Sequence, residues 1–358
     1  MKNYLFKKIT SAFFTLFGVL SLIFILFNII PGDPARMMLG QSDDFQQIQM
    51  INKKYGFDKP IFTQYIYYLN DISPISLHSK EKEHYTNLLT DNYTFKTLFN
   101  IKNMVLVVKY PYLRRSFTKQ GKKVSEILKE TFPNTIVLAV SSIIIALIFG
   151  ISLGIISALF KDKPLDRIIT VIGTLGMSLP SFFSAIIFAW IFGFLLHEYT
   201  GLNMTGNLYE LDDYGEGVQL KLKNLILPSF VLGIRPLSVI SQLMRNSLLE
   251  VYSHEYIKTA RSKGLSPKKV LINHALKNSL SPVITAVSGW FASMLAGAVF
   301  VEYVFGWNGL GKEIVNALNN LDLPVIMGAV LLIASIFVTI NIVVDIIYTY
   351  LNPKVKIS

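Results

Sequence analysis

The sequence predicts an all-α integral membrane protein with six transmembrane helices and an enlarged external segment after the first of them. Three observations carry that prediction. The chain of 358 residues is 52% hydrophobic and only 16% charged, with a mean hydropathy of +0.46, which sets it apart from water-soluble domains of its size. Six apolar runs, at 9–30, 134–160, 168–196, 225–244, 282–304 and 324–350, are long enough to cross about 30 Å of hydrocarbon as helix. The charges between those runs then segregate by sign, as topology requires of a multi-pass chain.

The first run follows MKNYLFKK and ends in IIPGDPAR. It is longer than a signal core and lacks a small-x-small cleavage site, so a retained first span is expected. Lys2, Lys7 and Lys8 precede it; Lys161, Lys163 and Arg167 join runs two and three; Lys354 and Lys356 follow run six. The stretch from 245 to 277 carries seven Lys or Arg against two Glu, and all four basic places fall on one side of a six-span chain. That side is expected to be cytoplasmic, with both termini on it. On the other side, residues 198–223 hold Glu198, Glu210, Asp212, Asp213 and Glu216 against two Lys. Run four carries Arg235 and Pro236, and an intramembrane charge is tolerated only where it faces protein or water.

Most of the formal charge of +11 lies beside apolar runs, which points to membrane lipid and away from nucleic acid as its partner. The external stretch 31–133 is itself basic, with Arg114, Arg115, Lys119, Lys122 and Lys123, but long translocated segments are largely exempt from the charge rule. There is no cysteine, so disulfides, thiolate metal sites and a cysteine nucleophile are excluded.

Four regions are expected: 1–30 as the first span, 31–133 as an external subdomain, 134–350 as the transmembrane core, and 351–358 as a tail. The external region opens on PGDP at 31–34, continues into the helical-looking FQQIQMINKKYGF and holds a short β-leaning run, MVLVVKY, at 104–110. Tyr65, Tyr67, Tyr68, Phe95 and Phe99 give it aromatic surface to bury.

Between runs four and five, within 250–280, lies EYIKTARSKGLSPKK at 255–269. Ser253 is placed to cap a helix with Glu255 in its first turn. Gly264 suits a left-handed terminator, and Ser266 followed by Pro267 restarts a helix. The pattern predicts a first helix over 254–263, about 15 Å long and half a bilayer, and a second over 267–280. Tyr256, Ala260 and Gly264 recur every four residues on one side, where small residues permit close approach. Chemistry alone leaves two neighbours open, anionic lipid at the membrane face and a docked protein. The rigid exit through Gly264 and Pro267 favours the dock.

The stretch EYIKTARSKGLSPKKVLINHALKNSLSPVIT resembles the cytoplasmic loop of the permease subunits of type I ABC importers, in their dipeptide and oligopeptide branch. FNIIPGDPA, YGFDKPIFTQYIYYL, FPNTIVLAV, SLPSFF, RPLSVISQLMRNSLLEV and VEYVFGWNGLGKEIVNAL resemble family segments in the same order along most of the chain. Where the general motif has Glu-Ala-Ala and, four residues on, Gly, this chain has Lys258, Thr259, Ala260 and Gly264, so only the last two match. The chain also departs at 71–113, an insertion before RSF at 115–117.

The resemblance implies the type I importer permease fold and a coupling helix seated on an ATPase, which assigns coupling to Glu255, Tyr256, Thr259, Ala260, Arg261, Gly264 and Leu265. It implies four partners: a second homologous permease, two ATP-binding cassette ATPases and an extracytoplasmic substrate-binding protein, in a bacterial inner membrane. No cofactor is expected on this chain, because ATP is used by the ATPases. The expected cargo is a short peptide, with nickel chelates and other small solutes as the alternative within the family. Pathway-lining candidates in run five are Ser288, Ser293 and Gly297.

Other chemistries fit less well. The histidines at 78, 84, 197, 254 and 274 are scattered, and no His-Glu-x-x-His helix or paired intramembrane aspartates support a hydrolase. GWNGLGK at 306–312 lacks the spacer of a phosphate-binding loop and predicts a turn with a short helix instead. An ion-coupled carrier using Arg235 and Asp345 is the second alternative, but no inverted repeat supports it.

Overall fold

The computed structural model describes residues 2–29, 34–39, 44–81, 84–88, 93–119, 121–212 and 217–351. The turn at 31–33, the tail from 352 and the side chain of Asp345 lie outside the described residues. The chain divides into two compact units, one built on Phe6–Glu130 with Ile314–Ser335, the other mainly on Thr131–Glu313 and the residues from Ile336.

In the first unit, α1 (Lys2–Ile29) is followed by α2 (Pro34–Leu39), α3 (Phe45–Tyr55) and α4 (Ile61–Ile72). Asp44 caps α3 by accepting from the Gln46 amide at 2.9 Å, and Gly56 ends it in the left-handed conformation at φ 71°. The apolar face of α4 packs its Tyr68 among Leu20, Ile23 and Phe24 of α1 and Met327, and the Tyr65 hydroxyl meets that of Ser21 at 2.6 Å.

The insertion folds as a three-stranded antiparallel sheet of β1 (Ile75–Ser79), β2 (Phe95–Ile101) and β3 (Met104–Lys109), in the order β1-β3-β2. The MVLVVKY run is β3, whereas β1 and β2 had no sequence signal of comparable strength. Alternation sorts the residues by face. Ser76, His78, Val105, Val107 and Lys109 are buried, while Ile75, Leu77, Met104 and Val108 are exposed. Phe99, expected among the buried aromatics, is on the exposed side with 67% of its surface accessible, because its cross-strand partner Leu106 belongs to the outward set.

Behind the sheet stands a buried charge network centred on Asp71 of α4. Its carboxylate accepts from the Tyr85 hydroxyl, the Tyr93 hydroxyl and Arg114 Nε, each at 2.9 Å. Lys109 Nζ donates to the Asp71 carbonyl, and the Arg114 guanidinium lies 5.3 Å over the Tyr68 ring. Burial lowers the Lys109 ammonium to about 8, despite Asp71. Burial also pushes the Tyr93 and Tyr85 phenols far up, and Tyr112 to about 12.

The signs give a pH profile. Between about 8 and the ordinary lysine value of 10.5, the unfolded chain binds a proton that folded Lys109 has lost, so stability rises with pH. Above the ordinary tyrosine value of 10.0, the unfolded phenols lose protons that the folded ones retain, and stability falls. Thermal scans by near-ultraviolet circular dichroism should therefore show the melting point climbing from pH 8 and turning down above pH 10. Lys109→Met should abolish the climb; a wild-type melting point that falls steadily from pH 8 contradicts this account.

Asp322, just before α16 (Leu323–Leu351), fastens the stretch after the sheet. Its carboxylate accepts from the Ser116 hydroxyl, from the Thr118 hydroxyl at 2.8 Å and from the Phe117 amide at 3.1 Å. Helix α5 (Val124–Leu159) starts here, ten residues before the apolar run, and the first unit runs on to Glu130.

The second unit continues with α6 (Pro164–Ser178), α7 (Ser181–Phe188) and a π-helical turn at Ala189–Leu195, then α8 (His197–Thr200) and a hairpin of β4 (Tyr209–Leu211) and β5 (Val218–Leu220). Helix α9 (Ile226–Ser253) leads to α10 (Glu255–Ser262), α11 (Pro267–Lys269), a π-helical stretch at Val270–Leu276 and α12 (Lys277–Ser279). Helices α13 (Ser281–Gly297), α14 (Val299–Phe305) and α15 (Leu310–Asn319) precede α16.

Among the described residues, four helical stretches, Phe6–Phe27, Val124–Leu159, Leu222–Ser253 and Leu323–Val344, are long and apolar enough to cross a membrane. Two bent pairs bring the number to six: α6 with the helix from Ser181, at 110°, and α13 with α14, at 57°. The third run thus holds a sharp bend that its apolar length did not predict. Pro180, which has no amide proton to donate, stands at the break.

GWNGLGK forms a turn and the start of α15, with Gly306 left-handed at φ 69°. The buried Glu302 carboxylate accepts from the Gly311 amide at 2.6 Å, the Lys312 amide at 3.2 Å and the Thr135 hydroxyl at 2.7 Å. Fully buried Trp307 adds an indole N–H to the Asn134 carbonyl at 3.0 Å.

Candidate functional site: the connector helix and the mid-span cavity

Helix α10 forms where expected, but its start and its faces differ from the sequence pattern. Helix α9 runs through Ser253, whose hydroxyl donates back to the Glu250 carbonyl at 2.7 Å. The break falls at His254, extended at φ −70° and ψ 147°, with no side-chain cap. Gly264 ends the segment at φ +79°, and a Cβ built there meets nothing within 4 Å. Left-handed backbone and open space together leave glycine as the residue of least strain.

Ile257 and Ala260 are buried, at 0% and 6% exposure, in a core with Met244, Leu248, Val251 and Val270, and Leu265 packs against the same core. Ala260 therefore does not offer a small-residue surface to a partner: it seats α10 on its own protein, one turn from Ile257. The outward surface includes Glu255, Tyr256, Thr259, Arg261 and Gly264, together with Lys258, Ser262 and Lys263. Lys258 pairs with Glu255 at 2.7 Å, and the Arg261 guanidinium lies 5.3 Å over the Tyr252 ring. The Tyr256 hydroxyl accepts from Asn278 Nδ2 at 2.8 Å, bridging the two halves of the connector.

Beside the connector lies a network that the sequence reading did not find. Asp166, in the first turn of α6, is 3% exposed. It receives Arg245 Nε at 2.8 Å and Nη2 at 2.7 Å from α9, the Asp162 amide at 2.9 Å and the Ser157 hydroxyl of α5. Three helices meet on one carboxylate, two turns of α9 before α10 begins. The signal available was an acid just after Pro164 in a loop that also holds Lys161, Asp162, Lys163 and Arg167, but nothing in the sequence indicated that its partner was 79 residues away.

Further along α9, a cavity of about 320 Å³ is lined by Arg235, Ser181, Trp290, Ser293 and Phe300 among others. Of the pathway candidates, Ser293 lines it. Ser288 spends its hydroxyl on the Thr285 carbonyl at 2.7 Å. Gly297 closes α13, and its surroundings lie outside the described residues.

Several helices long and apolar enough to span, with a short connector helix packed on the core, define a multi-pass membrane protein. Residues 150–357 match the family model of the binding-protein-dependent transport system inner membrane component, and residues 1–82 match the model of its N-terminal region. The chain belongs to this family and is a multi-pass ABC transporter permease subunit.

Among its relatives, the di/tripeptide transport system permease protein DppB of Pseudomonas aeruginosa is 31% identical, with 99% of each chain covered. The dipeptide transport system permease protein DppB of Alkalihalophilus pseudofirmus is also 31% identical, over 99% of this chain and all of that one. The glutathione transport system permease protein GsiC of Escherichia coli K12 is 30% identical, with 99% of each covered. A solved structure of the MetNI methionine ABC transporter superposes with a TM-score of 0.50 at 14% identity, covering 64% of this chain and 97% of that one; this likeness concerns the fold.

Proposed function

We propose that the chain forms half of the translocation pathway of an ATP-driven importer of short peptides. In this reading it lies in a bacterial inner membrane with both termini in the cytoplasm. It pairs with a second, homologous permease, receives peptide from an extracytoplasmic binding protein and couples to two ATPase subunits. The chain itself catalyses nothing and binds no nucleotide.

The observation that carries the reading is the construction of α10. Ile257, Ala260 and Leu265 bind it to the core, while Glu255, Tyr256, Thr259, Arg261 and Gly264 face outward. A helix rigid toward its own protein and open on the other side transmits a partner's displacement to the spans. The basic places flanking the spans support a cytoplasmic position for that surface. Full-length relatives that carry di- and tripeptides support the cargo class.

The test is uptake into proteoliposomes holding the whole complex and its binding protein. ATP-dependent accumulation of labelled di- or tripeptide is expected. Accumulation of only glutathione or a nickel chelate would move the cargo within the family, and accumulation driven by an ion gradient without ATP would sink the reading.

A further inference from the structure

Arg235 stands about 20 Å along a helical stretch of about 48 Å, at 1.5 Å per residue, counting from Leu222 in Leu222–Ser253. That depth is hydrocarbon for a spanning helix, where a cation persists only if it faces protein charge, water or a ligand. The other arginine of α9, Arg245, is held by Asp166. Arg235 has no hydrogen-bond or ion-pair partner among the described residues, its side chain is exposed, and it opens into the 320 Å³ cavity. Ser181 and Ser293 supply hydroxyls to the same walls, and Trp290 and Phe300 supply apolar surface. An apolar enclosure with a few convergent polar groups is the usual construction of a small-molecule site.

We propose that Arg235 binds a carboxylate of the translocated solute in this cavity, as a station on the pathway. The assignment rests on the peptide reading above and adds the group that is recognised. A guanidinium presents a planar fork that matches a carboxylate with two parallel N–H···O bonds, which an ammonium cannot reproduce. Every free peptide carries one C-terminal carboxylate, so a site that reads this group alone admits peptides of differing side chains.

The experiment compares labelled trialanine with its C-terminal amide in proteoliposomes holding the complete complex. Wild type, Arg235→Gln and Arg235→Lys are measured with the same binding protein, so any selection by that protein cancels in the ratio of variant to wild type. Arg235→Gln is expected to lower trialanine uptake by on the order of tenfold to a hundredfold, the worth of a charge-assisted hydrogen bond, and to leave amide uptake unchanged. Arg235→Lys should fall between. Equal losses for both peptides would mean that Arg235 pairs with an acid of the second permease or serves the fold, and would overturn the assignment, as would no loss for either. A wild-type complex that imports neither peptide overturns the peptide reading and this assignment together.

Discussion

Asp166→Ala is expected to destabilise the permease by about 3 kcal/mol, the lower end of the range for breaking a buried ion pair from one side. The arithmetic follows from what is left behind. Arg245, with 24% of its side chain accessible, loses the carboxylate that its Nε and Nη2 donate to. The Ser157 hydroxyl and the Asp162 amide lose their acceptor as well. Partial solvent access to Arg245 is why the lower end applies.

Two further variants separate charge from shape. Asp166→Asn keeps an acceptor for Ser157 but no charge for Arg245, so it should recover part of the loss. Asp166→Leu with Arg245→Met removes both charges, and it should be more stable than Asp166→Ala because no buried cation remains. Thermal unfolding in detergent, followed by tryptophan fluorescence, reads all four. If Asp166→Ala melts with the wild type, the three-helix junction contributes nothing and the account fails.

That junction also marks where sequence reasoning stops. Local chemistry made Gly264 legible, since a left-handed terminator is a property of one residue and its neighbours. The helix start was misread for the same local reason: Ser253 is a good cap in isolation, but α9 continues through it and turns the hydroxyl back to Glu250. Which side of α10 faces inward was not legible either. The four-residue spacing of Tyr256, Ala260 and Gly264 was visible, but Ala260 points inward because the core from Met244 to Val270 lies there. Six spans followed from apolar length alone, while the 110° bend at Pro180 needed the packed structure, because hydropathy averages across a proline. Arg235 was recognised as an anomaly, but its cavity is assembled from residues between Ser181 and Phe300, too far apart in the chain for pattern to join.

Gly264→Glu should leave the protein folded and inserted while reducing ATP-driven uptake at least about tenfold, as loss of a contact residue at a docking surface does. Two effects are combined in this substitution, and the structure lets them be separated. The backbone at φ +79° imposes about 1 kcal/mol on an L residue, a penalty paid by the chain whether or not a partner is present. The side chain itself meets nothing within 4 Å of its Cβ, so steric and charge effects arise only against whatever docks on Glu255, Tyr256, Thr259 and Arg261. Gly264→Asn carries a residue that tolerates left-handed backbone and adds no charge, so it should retain most of the uptake. Gly264→Ala should show the backbone penalty with little of the docking loss. ATP hydrolysis by the complex is the second readout: in Gly264→Glu it should no longer respond to peptide-loaded binding protein, because the spans and the ATPases no longer move together. Full, ATP-dependent uptake by Gly264→Glu would show that the outward surface of α10 touches no partner, and lipid would then be its neighbour at the membrane face.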